Sequence, residues 1–167
     1  MLKLNPEQDL DVILDVVSEV CIAARTAPKA NGQDFIVTAV VYGDELKIIQ
    51  EEMRKFGEKN NLQYFIRDAL NIEGKIVVLI GSKLKDKAPG FDDSKSEDLN
   101  IHLSSAIDLG IAIGSAVSVL SDKKVDNRVM YSIGRAVINL KLLGDDVTIA
   151  YGIPISIAGK NPFFDRR

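Results

Sequence analysis

Two short apolar runs constrain the fold of this chain more than any other feature. Phe35 to Tyr42 is rich in β-branched and aromatic residues, and Lys75 to Gly81 reads Lys-Ile-Val-Val-Leu-Ile-Gly. Both have the length and composition of strands. Neither alternates cleanly between polar and apolar residues, which is typical of a sheet covered on both faces. The sequence therefore predicts a small sheet under several helices.

Helices account for much of the remaining chain. Asn5 and Pro6 are a typical N-cap and first helical residue, and apolar residues then recur at helical spacing until Pro28. A second helix is predicted from an Asp44 cap to about Glu58, followed by an extended piece and helical turn within Leu62 to Ile72. A long helix is predicted from about Asp98 to Asp122, and a further helix from about Asn127 to Leu142, capped by Asp126 or Asn127 and closed by Gly144. The last predicted element is a strand from Val147 to Ile157, interrupted by Gly152 and Pro154. This order predicts an α/β or α+β layer protein.

Composition excludes several classes of function. The 24 acidic and 21 basic residues give a net charge of −3, which predicts neither a nucleic-acid nor an anionic-membrane partner. No apolar run approaches the ~18 residues of a membrane span, and the N-terminus has no apolar signal region. The single cysteine, Cys21, excludes an internal disulfide and any multi-cysteine metal site. We expect one cytoplasmic domain over residues 1–167, with a mobile charged loop at 82–98.

The segment from Ala24 to Asp34 is the first candidate for a binding site. It carries two cations, Arg25 and Lys29, which suit a phosphate or a carboxylate. It also carries two amides, Asn31 and Gln33, which suit the polar edge of a ring. Alternatively, the two cations only neutralise the carbonyl end of the preceding helix.

The long helix contains two glycines at a four-residue spacing, Gly110 and Gly114. Each costs ~1 kcal/mol of helix stability relative to alanine, so their presence needs a reason. Close approach of another helix is the usual one. We expect this helix to form the axis of a homodimer, and the alternatives are packing within the chain or a flat ligand.

Four segments together carry a family resemblance. They are Ala23 to Asp34 (Ala-Ala-Arg-Thr-Ala-Pro-Lys-Ala-Asn-Gly-Gln-Asp), Asp108 to Ala116 (Asp-Leu-Gly-Ile-Ala-Ile-Gly-Ser-Ala), Val125 to Tyr131 (Val-Asp-Asn-Arg-Val-Met-Tyr), and Gly152-Ile153-Pro154 with Gly159 to Arg166. In order and spacing, the chain resembles the uncharacterised ferredoxin domain-containing proteins of anaerobic bacteria and archaea. Those proteins typically carry a cysteine cluster between the second strand and the long helix. Here that segment, Ser82 to Asp98, has no cysteine, so we predict no iron–sulfur cluster.

More remotely, the chain resembles the flavin-dependent nitroreductases, which share the helix ending in Ala-Pro, the following Asn and Gln, and the long small-residue helix. The resemblance implies a three-layer α+β sandwich, a homodimer with FMN in the interface, and a C-terminal segment docked on the partner subunit. It places four residues near the flavin and two at its phosphate, namely Arg25, Lys29, Asn31 and Gln33, then Lys160 and Arg166. The two amides fall one residue earlier than in nitroreductases, and Met1 to Glu7 lacks their basic phosphate-gripping segment.

The sequence is consistent with two functions. One is an FMN-dependent oxidoreductase that passes a hydride to a small acceptor, with Lys29 or Arg25 stabilising the reduced flavin. The other is a non-catalytic dimeric binding or structural protein on the same fold. A metal hydrolase or nucleic-acid binder is disfavoured because the acids are scattered and the single histidine, His102, has no partner. Retention of bound flavin separates the first two.

Overall fold

Five α-helices and four strands form the part of the chain described by a computed structural model, which comprises residues 10–84, 97–159 and 162–163. The helices are α1 (Leu10–Thr26), α2 (Gly43–Asn60), α3 (Gln63–Asn71), α4 (Glu97–Asp122) and α5 (Tyr131–Asn139). The strands are β1 (Ile36–Val41), β2 (Ile76–Lys83), β3 (Asp126–Asn127) and β4 (Val147–Ser156). The predicted helix start at Asn5 and Pro6 lies outside the described residues.

The strands form one antiparallel sheet in the order β1-β2-β4-β3. The central strand β2 pairs with β1 on one side and β4 on the other, so that Val78 lies opposite both Val40 and Ile153. Its apolar run is explained by this position, because seven of its eight residues are buried.

Helices cover both faces of the sheet. The first core cluster lies on the face covered by α1 and α4, and it includes Val20, Val78, Ile80, Ala112 and Leu120. The second core cluster lies on the face covered by α2, α3 and α5, and it includes Met53, Phe65, Leu79, Ile133 and Phe163. The predicted three-layer α+β sandwich with a small central sheet is therefore confirmed.

Helix α5 lies in direct backbone contact with β4. A Cβ atom built on Gly134 would lie 1.7 Å from the carbonyl oxygen of Ala150. Nonbonded atoms do not approach so closely, so only glycine, which has no Cβ atom, allows this contact between α5 and β4. Ile133 and Val137 of α5 pack in the second core cluster on the same side of the sheet.

Two predicted helix boundaries on the α2–α3 side were wrong. Helix α2 begins at Gly43, so Asp44 lies in its first turn instead of capping it, and its carboxylate bonds the Lys47 ammonium at 2.7 Å. The segment from Leu62 to Ile72 is the full helix α3 and not an extended piece. Packing of Phe65 and Ala69 in the second core cluster stabilises it.

The prediction for α5 was also too long. Asp126 and Asn127 pair with Ser156 and Ile155 as the short strand β3, so neither caps the helix, whose N-cap is Met130. At the other end Lys141, with φ 57°, takes the left-handed conformation three residues before Gly144. Strand β4 is continuous through Gly152 and Pro154, contrary to the predicted interruption.

The bounds of the charged loop predicted at 82–98 were wrong at both ends. Ser82 and Lys83 extend β2, Glu97 begins α4, and residues 85–96 lie outside the described part of the chain. Contrary to the sequence-based expectation, Leu99–Asp122 is long and apolar enough to cross a membrane, with a mean hydropathy of 1.7. Core helices pass the same test, and α4 buries one face, including Leu109 and Leu120, in the first core cluster.

Candidate functional site

Residues 25–34, here termed the 25–34 loop, connect α1 to the edge strand β1. Helix α1 ends at Thr26, two residues before Pro28, which disfavours helical backbone in the residue that precedes it. Lys29 folds back over the helix end, where its ammonium donates to the carbonyls of Arg25 and Ala27. Only 5% of its side chain is exposed. Lys29 therefore does neutralise the carbonyl end of α1, one of the two roles considered from the sequence.

Asp34 closes the loop from the other side. Its carboxylate accepts hydrogen bonds from the Ile36 backbone N–H at 3.1 Å and from the Arg25 guanidinium at 2.8 Å, and it lies 3.6 Å from the Lys29 ammonium. Burial alone would raise the pKa of Asp34, but these hydrogen bonds and the two cations hold its pKa below the usual value. Both cations of the loop are thus compensated within the loop.

The tip of the loop is an Asn-Gly turn. Asn31 and Gly32 both have positive φ, 55° and 66°, and the Gln33 N–H donates to the Ala30 carbonyl at 3.2 Å. Asn and Gly are the residues that tolerate this geometry best, which explains their presence here. The side chains of Asn31 and Gln33 are exposed, so their amides are accessible to a ligand.

A buried carboxylate on α4 holds the turn in place. Asp108 is 3% exposed, and its Oδ1 accepts the Ala30 backbone N–H at 3.2 Å, across 78 positions of sequence. Sequence reasoning missed this anchor. The available indication was that Asp108 is the only Asp, Glu, Lys or Arg between Leu99 and Ser121.

The opposite face of α4 is apolar, and in the described part of the chain it is exposed. Four large side chains on it are exposed, Leu99, Leu103, Ile107 and Ile111. Gly110 and Gly114 are exposed as well, and a Cβ atom built on either would meet nothing within 4 Å. Packing within the described chain therefore does not explain these two glycines, which leaves a partner helix or a flat ligand. This surface, named by these six residues, is here termed the α4 face.

The tail packs partly on its own chain. Phe163 is buried in the second core cluster, and its carbonyl accepts a hydrogen bond from the Arg128 guanidinium at 3.3 Å. Lys160 and Arg166, the residues predicted to meet a flavin phosphate, lie outside the described residues. Docking of the tail on a partner subunit stays a prediction.

These residues match the two halves of FMN unequally. The exposed amides of Asn31 and Gln33 are suitable donors and acceptors for the polar edge of an isoalloxazine ring. On the α4 face, a Cβ atom built on Gly110 or Gly114 would meet nothing within 4 Å, which leaves room there for a flat group. The loop is a poorer match for the phosphate half, because Asp34 already compensates the positive charges of Arg25 and Lys29. The loop therefore fits the ring, and the phosphate requires cations from elsewhere.

Solved structures show that this fold is the nitroreductase fold. A putative nitroreductase from Desulfovibrio desulfuricans in complex with FMN superposes with a TM-score of 0.64 at 12% identity, covering 99% of this chain and 84% of that one. Nitroreductase A from Vibrio parahaemolyticus gives 0.61 at 13% identity, covering 92% and 62%. The hypothetical oxidoreductase YcnD from Bacillus subtilis gives 0.59 at 18% identity, covering 88% and 58%. The chain thus spans less than two thirds of the Vibrio and Bacillus proteins.

Sequence comparison gives a nearer relative. An uncharacterized protein of Archaeoglobus fulgidus is 39% identical over 165 residues, covering 86% of each chain. The profile of the family described as "Uncharacterized protein containing a ferredoxin domain" matches residues 98–166, which include α4, α5 and β4. The chain therefore belongs to this family of uncharacterized proteins containing a ferredoxin domain.

Proposed function

We propose that this protein is an FMN-binding oxidoreductase of nitroreductase type, which works as a homodimer on a small acceptor. One observation carries the proposal: the 25–34 loop, with the exposed amides of Asn31 and Gln33, is tied by Asp108 to the same helix that bears the uncovered α4 face. The Asp108 contact thus joins the loop to α4, and the exposed apolar surface lies on the opposite face of the same helix. The FMN complex of the Desulfovibrio protein with the same fold supports the choice of cofactor.

Different residues of the chain have different roles in FMN binding. FMN, when bound, supplies hydride acceptance and transfer. Asn31 and Gln33 orient the ring edge through hydrogen bonds. Apolar patches of the size of the α4 face typically mark interaction sites, so a second copy of the chain packs there and excludes water.

We assign the phosphate to Lys160 and Arg166. Arg25 and Lys29 already have a counterion in Asp34, and Lys29 is enclosed by backbone carbonyls. Arg25 has an exposed guanidinium, and with Lys29 it contributes positive charge near the ring, where a reduced flavin carries negative charge.

The test is a visible absorption spectrum of the protein after loading with FMN and removal of the excess. We expect about one flavin per subunit, with loss of binding when Asn31 and Gln33 are both replaced by alanine. Lys55→Ala, at an exposed ion pair with Glu51 on α2, is the matched control and should retain the flavin. A colourless wild-type protein that cannot be loaded would refute the proposal.

A non-catalytic dimer on the same fold is the second candidate. The observation in its favour is the internal compensation of Arg25 and Lys29 by Asp34, since a dedicated phosphate site usually keeps its cations available. FMN loading separates the cases: under this alternative light scattering still shows a dimer, yet the protein takes up no FMN.

A further inference from the structure

A cavity of about 400 Å³ lies at the end of the sheet away from the 25–34 loop. That loop leads into Ile36, which pairs with Ser82, whereas the cavity lies where Ile76 pairs with Ile155. We term it the Lys75 cavity. Its lining includes Ile13, Tyr42, Lys75, Ile76, Ser156 and Ile157. The volume is within the range of ligand pockets, roughly 300–1,000 Å³.

Two polar side chains of the cavity lining, Lys75 and Ser156, lie next to each other. The Lys75 ammonium lies 3.4 Å from the Ser156 hydroxyl oxygen, and in the described chain no carboxylate lies within 4.0 Å of it. Ser156 is buried, and its oxygen also accepts the Ala158 backbone N–H at 3.4 Å. Because the oxygen acts as acceptor in both contacts, the hydroxyl hydrogen of Ser156 remains available to a ligand.

The charges around this place are predominantly positive. An adjoining cavity of about 320 Å³ shares Ile13 and Ser156 and adds Lys123, Lys124 and Asp126. Lys123 is paired with Glu19 at 2.8 Å. Asp126 lies across the β3–β4 pairing from Ser156 and attracts Lys75 only from beyond ion-pair distance. Lys124 lines only the adjoining cavity, so the Lys75 cavity itself offers an anion one ammonium, that of Lys75, beside the Ser156 hydroxyl.

We propose that the Lys75 cavity binds a compact apolar monocarboxylate. The Lys75 ammonium and the Ser156 hydroxyl hold its carboxylate, and its hydrocarbon body packs on Ile13, Ile76 and Ile157. A phosphate dianion would need more donors than these two groups supply, and a neutral ligand would leave the lysine without a counterion. The site does not depend on the flavin proposed for the other end of the molecule.

The experiment is a titration of ¹⁵N-labelled full-length protein with sodium benzoate at pH 7, followed by the amide shifts of Gly74, Ile76 and Ser156. Benzamide, which has nearly the same shape without the charge, is the matched probe. We expect saturable shifts with benzoate and at least about tenfold weaker binding of benzamide, the size of one charged hydrogen bond.

Variants of Lys75 and Ser156 test whether these two residues contact the carboxylate of benzoate. Lys75→Met should weaken benzoate binding by about tenfold or more, and Lys55→Met, which removes an equal charge on α2, should leave it unchanged. Ser156→Ala, which should weaken binding several-fold, provides the same test if Lys75→Met does not fold. The proposal is overturned by absence of saturable benzoate shifts in the wild type, by equal binding of benzamide, or by unchanged affinity in both cavity variants.

Discussion

At the scale of single residues, Asp108 has the most specific role that the structure reveals. It lies buried in a helix otherwise free of charge between Leu99 and Ser121, and it binds the Ala30 N–H of a loop 78 positions away. Aspartate is a poor helix former, so its presence there is explained by the contact. Together with the contacts of Asp34 and Lys29, this carboxylate positions the turn that carries Asn31 and Gln33.

We expect Asp108→Ala to lower the free energy of unfolding by about 1–3 kcal/mol, because the Ala30 N–H loses its acceptor in a partly buried place. Asp108→Asn keeps an acceptor oxygen and should lose less. Urea unfolding measures the stability, and hydrogen exchange of residues 29–34 reports the loop directly. Equal stability and equal exchange in the alanine variant and the wild type would mean that the loop is held by other contacts.

At the scale of elements, the contact between α5 and β4 leaves no room for a side chain at Gly134. We expect Gly134→Ala to cost about 3 kcal/mol or more, because the added methyl group would meet the Ala150 carbonyl and push the helix off the strand. Gly110→Ala, the same change at a helix position with open space within the chain, should instead add about 1 kcal/mol of helix stability. Thermal unfolding followed by circular dichroism compares the two, and similar midpoints would show that α5 shifts without penalty.

The elements predictable from sequence were those with a strong local pattern. The periodicity of α1 and α4 and the apolar runs of β1 and β2 were sufficient to place them to within a few residues. Strand β3 was missed because Asn127 is a strand residue only through its pairing with Ile155, which leaves no local periodicity. Helix α3 was predicted only as a helical turn, although the buried residues Phe65, Ala69 and Ile72 recur at helical spacing.

The same distinction applies to the candidate site. The 25–34 loop was identified from its residue types, and its Asn-Gly turn follows from local backbone preference. The engagement of Lys29 by two carbonyls and of Arg25 by Asp34 depends on how the loop folds back, and the Asp108 anchor depends on the packing of α1 against α4. Sequence therefore identified the candidate loop but did not determine which of its charges are already paired.

At the scale of the whole molecule, the α4 face is the surface that we propose as the dimer interface. We expect Gly114→Leu to convert a dimer into a monomer, because the new side chain would fill the space in which a second helix crosses, while nothing within the chain lies close enough to be disturbed. Lys55→Leu, an equally large apolar residue on α2, should leave the dimer intact. Light scattering at several concentrations measures the result, and an unchanged oligomer in Gly114→Leu would place the interface elsewhere.

Strand β1 has a consequence for handling the protein. It is the outermost strand, it reads Ile-Val-Thr-Ala-Val-Val without a proline or a charge, and no described strand pairs with its outer edge. Charges, prolines and bulges are the usual means by which proteins prevent exposed edges from joining. Concentrated or partly unfolded samples are therefore prone to edge-to-edge aggregation that begins at residues 36–41, and a lysine introduced on this strand is the natural protection.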